Sequence, residues 1–410
     1  MQAESRSWTP GDSPRFAAAM STDADSQRAE EQVVEDVLSG LSGAPADLVC
    51  VFVSHHYGAA LENLGPRLFK ELGARALIGS SGVSIIGGAR EIEQGPALSV
   101  WAGHMPRTDL RPFSSRLEMN AEGTGHFTGA PDVRDPARAS VLLFADPYSF
   151  AADEYLATLD DRHPGVPVVG GMSSGGMGPG QNLLITERGL SSDGAVGVVL
   201  EGEVEVQSVV SQGCRPVGKP WVVTACDQNV VRTLASRPAT EILFETLEGL
   251  SKEDRALFQN QPFVGLAIDP AKSSFERSDF LVRGIVGLEP KNKSFAVGDT
   301  LRRGQTLQFL VRDAQSASED LLQLIRGRNQ RAARTSNPAD ASGALLFSCN
   351  GRGTSMFEKP DHDITCVRSV LSEHLPIAGF FANGEFGPVG RRNFLHGFTA
   401  SLALFSARKA

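Results

Sequence analysis

The 410-residue chain has no run of about 18 apolar residues, so the sequence predicts no membrane span. Basic charge is scarce: 39 Lys and Arg stand against 48 Asp and Glu, for a net charge of −9. That balance leaves no electrostatic footprint for nucleic acid. The one basic run, Arg326 to Arg334, reads as a solvated connection. Cysteine is sparse and dispersed: Cys50, Cys214, Cys226, Cys349 and Cys366 show no CxxC spacing. Such a set implies reduced thiols in a cytosol, and neither a disulfide framework nor a zinc site. No GxxxxGK[ST] loop occurs, and "GGMSSGG" has neither the Rossmann spacing nor its acidic partner. No cofactor or metal is expected. His55–His56 and Asp361-His362-Asp363 are the metal-like clusters. The second reads better as a helix N-cap, with acids at the positive end of the helix dipole.

Residues 1–27 are polar, rich in Pro, Ser and Asp, and contain no apolar h-region of the kind a signal peptide needs. They read as a disordered tail, not a signal peptide, and the expected location is cytoplasmic. The remainder has the composition of a folded protein, 41% hydrophobic and 21% charged, and its length calls for more than one domain.

A pattern recurs along it. An apolar strand, "DLVCVFVSHH", is followed by the helical "ALENLGPRLFKELG", which Gly65-Pro66 would break, and by "ARALIGSSG", a strand ending in a glycine turn. "ASVLLFADPYSF", "AADEYLATLDDRHPG" and "VPVVGGMSSGGMGPG" repeat the order, as do "GALLFSCNGRG", "DITCVRSVLSEHL" and "PIAGFFANGEFGPVG". Pro167, Gly170, Gly175, Gly178 and Pro179 match Pro376, Gly379, Gly384, Gly387 and Pro388 without a gap. Gly79 and Gly87 keep the same eight-residue offset. The expectation is one strand–helix–strand–glycine-loop unit used three times. Between the second and third copies lies a strand-rich region, and a domain boundary is expected near Ser236. The predicted fold class is α/β (mixed α+β), with mixed sheets covered by helices.

"SQGCRPVG", "FLVRGIVG", "FSCNGRG" and "FFANGEFGPVGRRNFLHGFTASLALF" resemble, in order, signatures of the FIST family, whose name stands for F-box and intracellular signal transduction. The resemblance covers nearly all of the chain after the tail. It implies a FIST N-terminal domain over 28–235 and a FIST C-terminal domain over 236–410. It also implies a sensory protein that binds a small molecule, with amino acids as proposed ligands, and that passes its signal to a separate protein. Some members of the family are associated with haem, which leaves His55 or His56 as an alternative iron ligand.

The third glycine loop carries the most polar groups. Glu385, flanked by Asn383 in an apolar stretch, must face a cavity, pair with a base or shift its pKa. Arg352 and Asn350 follow the strand of the same copy, where strand ends converge on one crevice. An Arg352 fork with Glu385 would clamp the carboxylate and ammonium of an amino acid. Equally, Arg352 and Glu385 would simply bridge the two loops. Arg283, inside an apolar strand, calls for a partner, either Glu385 or a ligand, and Arg215 reads similarly. Ser173 and Ser174 occupy the corresponding loop of the second copy. Cys349, before a glycine loop and an arginine, is either a packing residue or a partly exposed thiol. An enzyme using Cys349 or Glu385 is the rival to a non-catalytic sensor, although no histidine near Cys349 in sequence offers a base.

Overall fold

The computed structural model describes residues 13–120, 125–269, 272, 275, 277–334 and 341–408. The fold is mixed α/β, as expected. The chain forms two compact units. The first joins Leu321–Leu395 to the described parts of Met1–Ser211 and Thr399–Ala410; the second holds Gln212–Asp320 and His396–Phe398.

Three sheets of the first unit share one strand plan. In the first sheet, Leu48–Val53 and Ala76–Ser81 run parallel, Leu98–His104 pairs antiparallel to Leu48–Val53, and Arg15–Ser21 lies outside it. In the second, the parallel pair is Ala139–Ala145 with Val168–Met172, followed outward by Ala195–Gly202 and Thr108–Met119. In the third, Gly343–Cys349 and Ile377–Ala382 are parallel, with Ala400–Ala407 and then Val204–Ser211 outward. The open side of each pair is covered by a strand that has left another sheet. Leu184–Thr186 joins the first sheet, Glu385–Val389 the second and Ile85–Gly87 the third. Each of these strands follows the parallel pair of one sheet and completes a different sheet, so the three sheets are locked by cyclic exchange.

The glycines at the centre of this plan have a steric cause. Gly79, Gly170 and Gly379 stand opposite Val51, Leu143 and Leu346 in the parallel registers. A Cβ at these positions would lie 2.3, 1.9 and 1.7 Å from the three carbonyl oxygens. The next residues along the first strands are Phe52, Phe144 and Phe347, all fully buried. Their ring centroids are 5.4, 6.2 and 5.7 Å apart, so one aromatic from each sheet meets the other two at the core. The outer faces are covered by helices: Ser26–Gly40 and Leu64–Glu71 on the first sheet, Ala152–Arg162 on the second and His362–Val370 on the third.

Four sequence expectations change. Arg15–Ser21, placed in the tail, is a strand in register with Leu98–His104, because Phe16, Ala17 and Ala19 are small or apolar enough to pack against the sheet. Residues 1–12 lie outside the described residues. Gly65 and Pro66 do not break the helix; they sit in the first turn of Leu64–Glu71, where an N–H is not required. The basic run does not interrupt the chain but continues the helix Ala314–Arg334. Gly178-Pro179 is not the structural counterpart of Gly387-Pro388. Gly387 lies in a strand, where a Cβ would meet Val210 Cγ2 at 2.4 Å, whereas Gly178 lies in a longer turn, where a Cβ would come no nearer than 3.6 Å to Gln181.

In the second unit, Cys214–Asp227 pairs with both Thr306–Arg312 and Val230–Leu234, so its sheet closes on itself. Val223, Val264, Phe295 and Phe309 fill its interior. The boundary expected near Ser236 falls inside this unit, where Leu234 pairs with Arg237 across the turn.

Candidate active cluster at the third strand pair

Gly343–Cys349 ends in a turn that carries the chain back into the core at Arg352. The 3₁₀ turn Gly353–Ser355 and then Phe357 follow, and the helix His362–Val370 returns over the sheet. Gly353 adopts φ +63, and its α-carbon packs so closely that a Cβ would meet Phe381 at 2.7 Å. This turn places Arg352, 1% exposed, beneath the first turn of the helix. Its Nε and Nη2 donate to Asp363 Oδ2 and Oδ1 at 2.6 and 2.7 Å, a bidentate fork. Ser348 Oγ donates to the same carboxylate at 2.8 Å. His362 Nδ1 stands 2.9 Å from Asp363 Oδ1, and Cys366 Sγ stands 3.7 Å from His362 Nε2. The imidazole stacks on Phe357 with ring centroids 3.4 Å apart and planes 6° from parallel. The Arg352 guanidinium lies 5.2 Å from the same Phe357 ring.

A second carboxyl reaches the cluster from the exchanged strands. Glu91, in Arg90–Ile92, accepts the Ile364 N–H at Oε1, 2.8 Å, and its own N–H donates to Asp361 at 2.6 Å. Nearby, Glu93 accepts from the Thr354 N–H and hydroxyl. Burial alone would raise the Asp363 pKa, but the Arg352 charge and fork override it and hold Asp363 well below the carboxylate range. Glu91 has no such fork. Burial, reinforced by the Asp363 charge, pushes it up to about 8, so it is largely protonated at neutral pH. Among the described residues, Arg352 Nη1 and Glu91 Oε2 are buried without a hydrogen-bond partner.

Residues 47–237 match the model of the FIST N domain, and residues 239–388 match that of the FIST C domain. The chain belongs to the FIST family. It is also similar over its length to uncharacterized proteins of mycobacteria. Mb0898c of Mycobacterium bovis is 35% identical over 391 residues, covering 95% of this chain and 98% of the relative. Rv0628c of Mycobacterium tuberculosis is 36% identical over 391 residues, with 95% and 99% covered. FIST domains are sensory, signal-transduction domains. No helix among the described residues is long and apolar enough to cross a membrane.

Within this FIST chain, the expected site residues divide between the two units. Ser173, Ser174, Cys349, Asn350, Arg352, Asn383 and Glu385 lie in the first; Arg215 and Arg283 lie in the second. Arg215 is salt-bridged to Asp254 and, at 3.0 Å, to Asp313; Arg283 is bridged to Asp299 at 2.8 Å. Arg352 forks Asp363 instead of Glu385, because both Arg352 and Asp363 are fully buried and each requires an opposite charge. Glu385 is buried, and its Oε2 accepts from the Thr399 hydroxyl at 2.6 Å and the Thr399 N–H at 3.2 Å. Ser173 Oγ bonds Ser80 Oγ at 2.8 Å; Ser174 Oγ bonds Phe381 O and takes the Val83 N–H. Asn383 and Asn350 are exposed and Cys349 is half-buried. With its amide oxygen and nitrogen exchanged, Asn350 would donate to Phe381 O and Ala382 O of the strand Ile377–Ala382. His55 Nε2 is 3.2 Å from Ser174 O, and His56 Nδ1 is 3.2 Å from Ser54 Oγ.

The sequence places His362 and Asp363 in a helix cap and gives Cys366, Phe357 and Glu91 no role in a site. The signal for three of them was "HDITC": His362 and Cys366 are four residues apart and share a helix face, with an acid beside the histidine. Asp361, expected to cap that helix, makes no side-chain cap; its carboxylate takes the Glu91 N–H instead. Glu91 had no local signal, since only strand exchange brings it there.

A groove of about 470 Å³ opens at the other end of Ile377–Ala382, beside Pro376, with Asp36, Arg368 and His374 on its wall. It lies away from the carboxyl ends of the parallel strands, where α/β sheets hold their ligands.

Proposed function

We propose that this FIST protein is a sensor that takes a small carboxylate-bearing molecule, an amino acid or one of similar size, at the carboxyl end of the third strand pair. It binds this molecule without transforming it and relays occupancy to a separate signalling protein. One observation carries the reading: Arg352 is buried and charged, yet its Nη1 has no acceptor among the described residues. A buried donor left unmade costs about 1–3 kcal/mol, more when charged, and a ligand carboxylate recovers it. Protonated Glu91 supports the same choice, because a neutral carboxylic acid donates a hydrogen bond where a carboxylate would repel an anion. Exposed Asn350 and Asn383 and half-buried Cys349 supply the polar rim. Glu385, tied to Thr399, serves the frame of the loop in this reading.

A thermal-shift screen of amino acids and small carboxylates tests this. A true ligand gives saturable stabilisation of about 2.7 kcal/mol at one hundred times Kd, and is recovered unchanged after long incubation. Its affinity falls as pH rises through about 8 and Glu91 ionises. Full stabilisation in Arg352→Lys, or conversion of the ligand, would sink the reading.

A further inference from the structure

Cys366, His362 and Asp363 have an order that ligand binding at Arg352 does not use. Asp363 is held ionised by Arg352 and Ser348. It therefore accepts the hydrogen bond from His362 Nδ1, which makes the neutral imidazole the Nδ1–H tautomer. Nε2 is then an acceptor, and the group facing it at 3.7 Å is the Cys366 thiol. Stacking on Phe357 fixes the ring plane in that direction. Nucleophile, base and orienting acid thus stand in sequence, each within reach of the next. All three belong to one helical turn, so the spacing is set by the helix itself: His362 and Cys366 are four residues apart.

We propose that these three residues form a second site, a thiol–imidazole–carboxylate relay that captures small uncharged carbon electrophiles covalently at Cys366 Sγ. The charged and titratable groups around the thiol are His362 and Asp363 on its own helix, Arg352 from the loop and Glu91 from the exchanged strand. The Arg352 charge is matched by Asp363, its remaining nitrogen Nη1 belongs to the carboxylate site proposed above, and Phe357 supplies an apolar wall beside the imidazole, which suits an uncharged electrophile. Burial, with the nearby Asp363 charge, pushes the isolated thiol up to about 11, so a standing thiolate is not the reactive form. The base removes the proton as the bond forms, which is general-base catalysis. With an α,β-unsaturated carbonyl, Sγ bonds to the β-carbon and the electron pair moves onto the carbonyl oxygen. The thiol proton passes to Nε2 and is returned to the α-carbon, so the addition needs no leaving group.

The probe for the test is iodoacetamide at limiting concentration on the full chain, with each cysteine followed by peptide mass spectrometry. Sγ displaces iodide, the C–I pair leaves with the iodide, and the proton goes to Nε2. Cys226 and Cys349, which are also partly exposed, and buried Cys50 and Cys214 are internal references. Cys366 should label at least about tenfold faster than Cys226, in line with general-base contributions of about 10²–10⁴. Its rate should change little between about pH 7.5 and 9, because the neighbouring base and not standing thiolate sets it, while the other cysteines accelerate toward higher pH. His362→Gln should lower the Cys366 rate to that of Cys226, and added imidazole should restore rate to His362→Ala. Labelling of Cys366 no faster than Cys226, or an unchanged rate in folded His362→Gln, overturns the proposal. Should His362→Gln not fold, a wild-type rate that rises with the other cysteines between about pH 7.5 and 9 overturns it as well. Carboxylate binding at Arg352 is read separately by thermal shift in Cys366→Ser, so either site fails without the other.

Discussion

At the carboxyl end of the second strand pair the buried acid is Asp146. Its oxygens take hydrogen bonds from the Tyr148 N–H, the Ser149 hydroxyl and the Asn182 amide, all neutral donors from loops of the same unit. At the third pair the ionised acid of the cluster is Asp363, and its donors are a guanidinium, a hydroxyl and an imidazole. Both ends rest on the same parallel pair, the same glycine against a carbonyl and the same inward phenylalanine. The difference shows that the frame does not dictate the chemistry at its ends. Neutral donors close the second end and leave little to react. At the third end, desolvating a cation is costly, so Arg352 requires Asp363, and the fork leaves the Nη1 nitrogen over.

The frame itself is the most sensitive part. Gly379→Ala drives a Cβ into Leu346 O, and Gly170→Ala drives one into Leu143 O in a residue already at φ +142. Both variants should lose more than about 4 kcal/mol or fail to accumulate as soluble protein. Gly178→Ala, matched to Gly387 in sequence but placed in an open turn, should melt within about 0.5 kcal/mol of wild type. Equal effects at Gly178 and Gly379 would remove the steric account.

Charge comes next. Arg352→Met leaves Asp363 buried without its cation and should cost about 3–5 kcal/mol in denaturant unfolding. Asp146→Asn keeps the shape and loses only part of a neutral network, for about 1–3 kcal/mol. A larger loss at Asp146 would reverse the contrast drawn between the two ends.

The smallest effect is the pH dependence of Glu91. Its folded pKa of about 8 exceeds the unfolded value of 4.5, so the folded state binds the extra proton. This contribution to stability is fully present below about pH 4.5 and is lost as pH rises through about 8. Across pH 6–9 the wild-type Tm should therefore fall by a few degrees relative to Glu91→Gln, which cannot ionise. Parallel Tm curves would show that Glu91 is already ionised at pH 6.

Much of this frame could be read along the chain. The apolar runs ending in Phe52, Phe144 and Phe347 marked buried strands, because that signal depends on neighbouring residues; Gly79, Gly170 and Gly379 were counted with the glycine loops, whereas they stand inside strands against carbonyls, which only the partner strand reveals. The strand Arg15–Ser21 was missed since alanine-rich segments carry little hydrophobic contrast. Gly178 was misplaced because a gapless match cannot register a turn of different length. Arg352 was legible as a residue of consequence, but its partner was not. Glu385 was nearer to the expected pattern of loop pairing, while Asp363 was assigned to a helix cap.

What the sequence determined alone is the set of parallel strand pairs and their covering helices. These follow from side-chain size and periodicity, which are local properties. What only the tertiary structure decided is which strand completes which sheet, and with it which charges share a desolvated space. Glu91 meets Arg352 and Asp363 because Ile85–Gly87 and Arg90–Ile92 cross from one sheet to another. A buried charge takes whichever partner the exchanged strands deliver, and no spacing along the chain encodes that delivery.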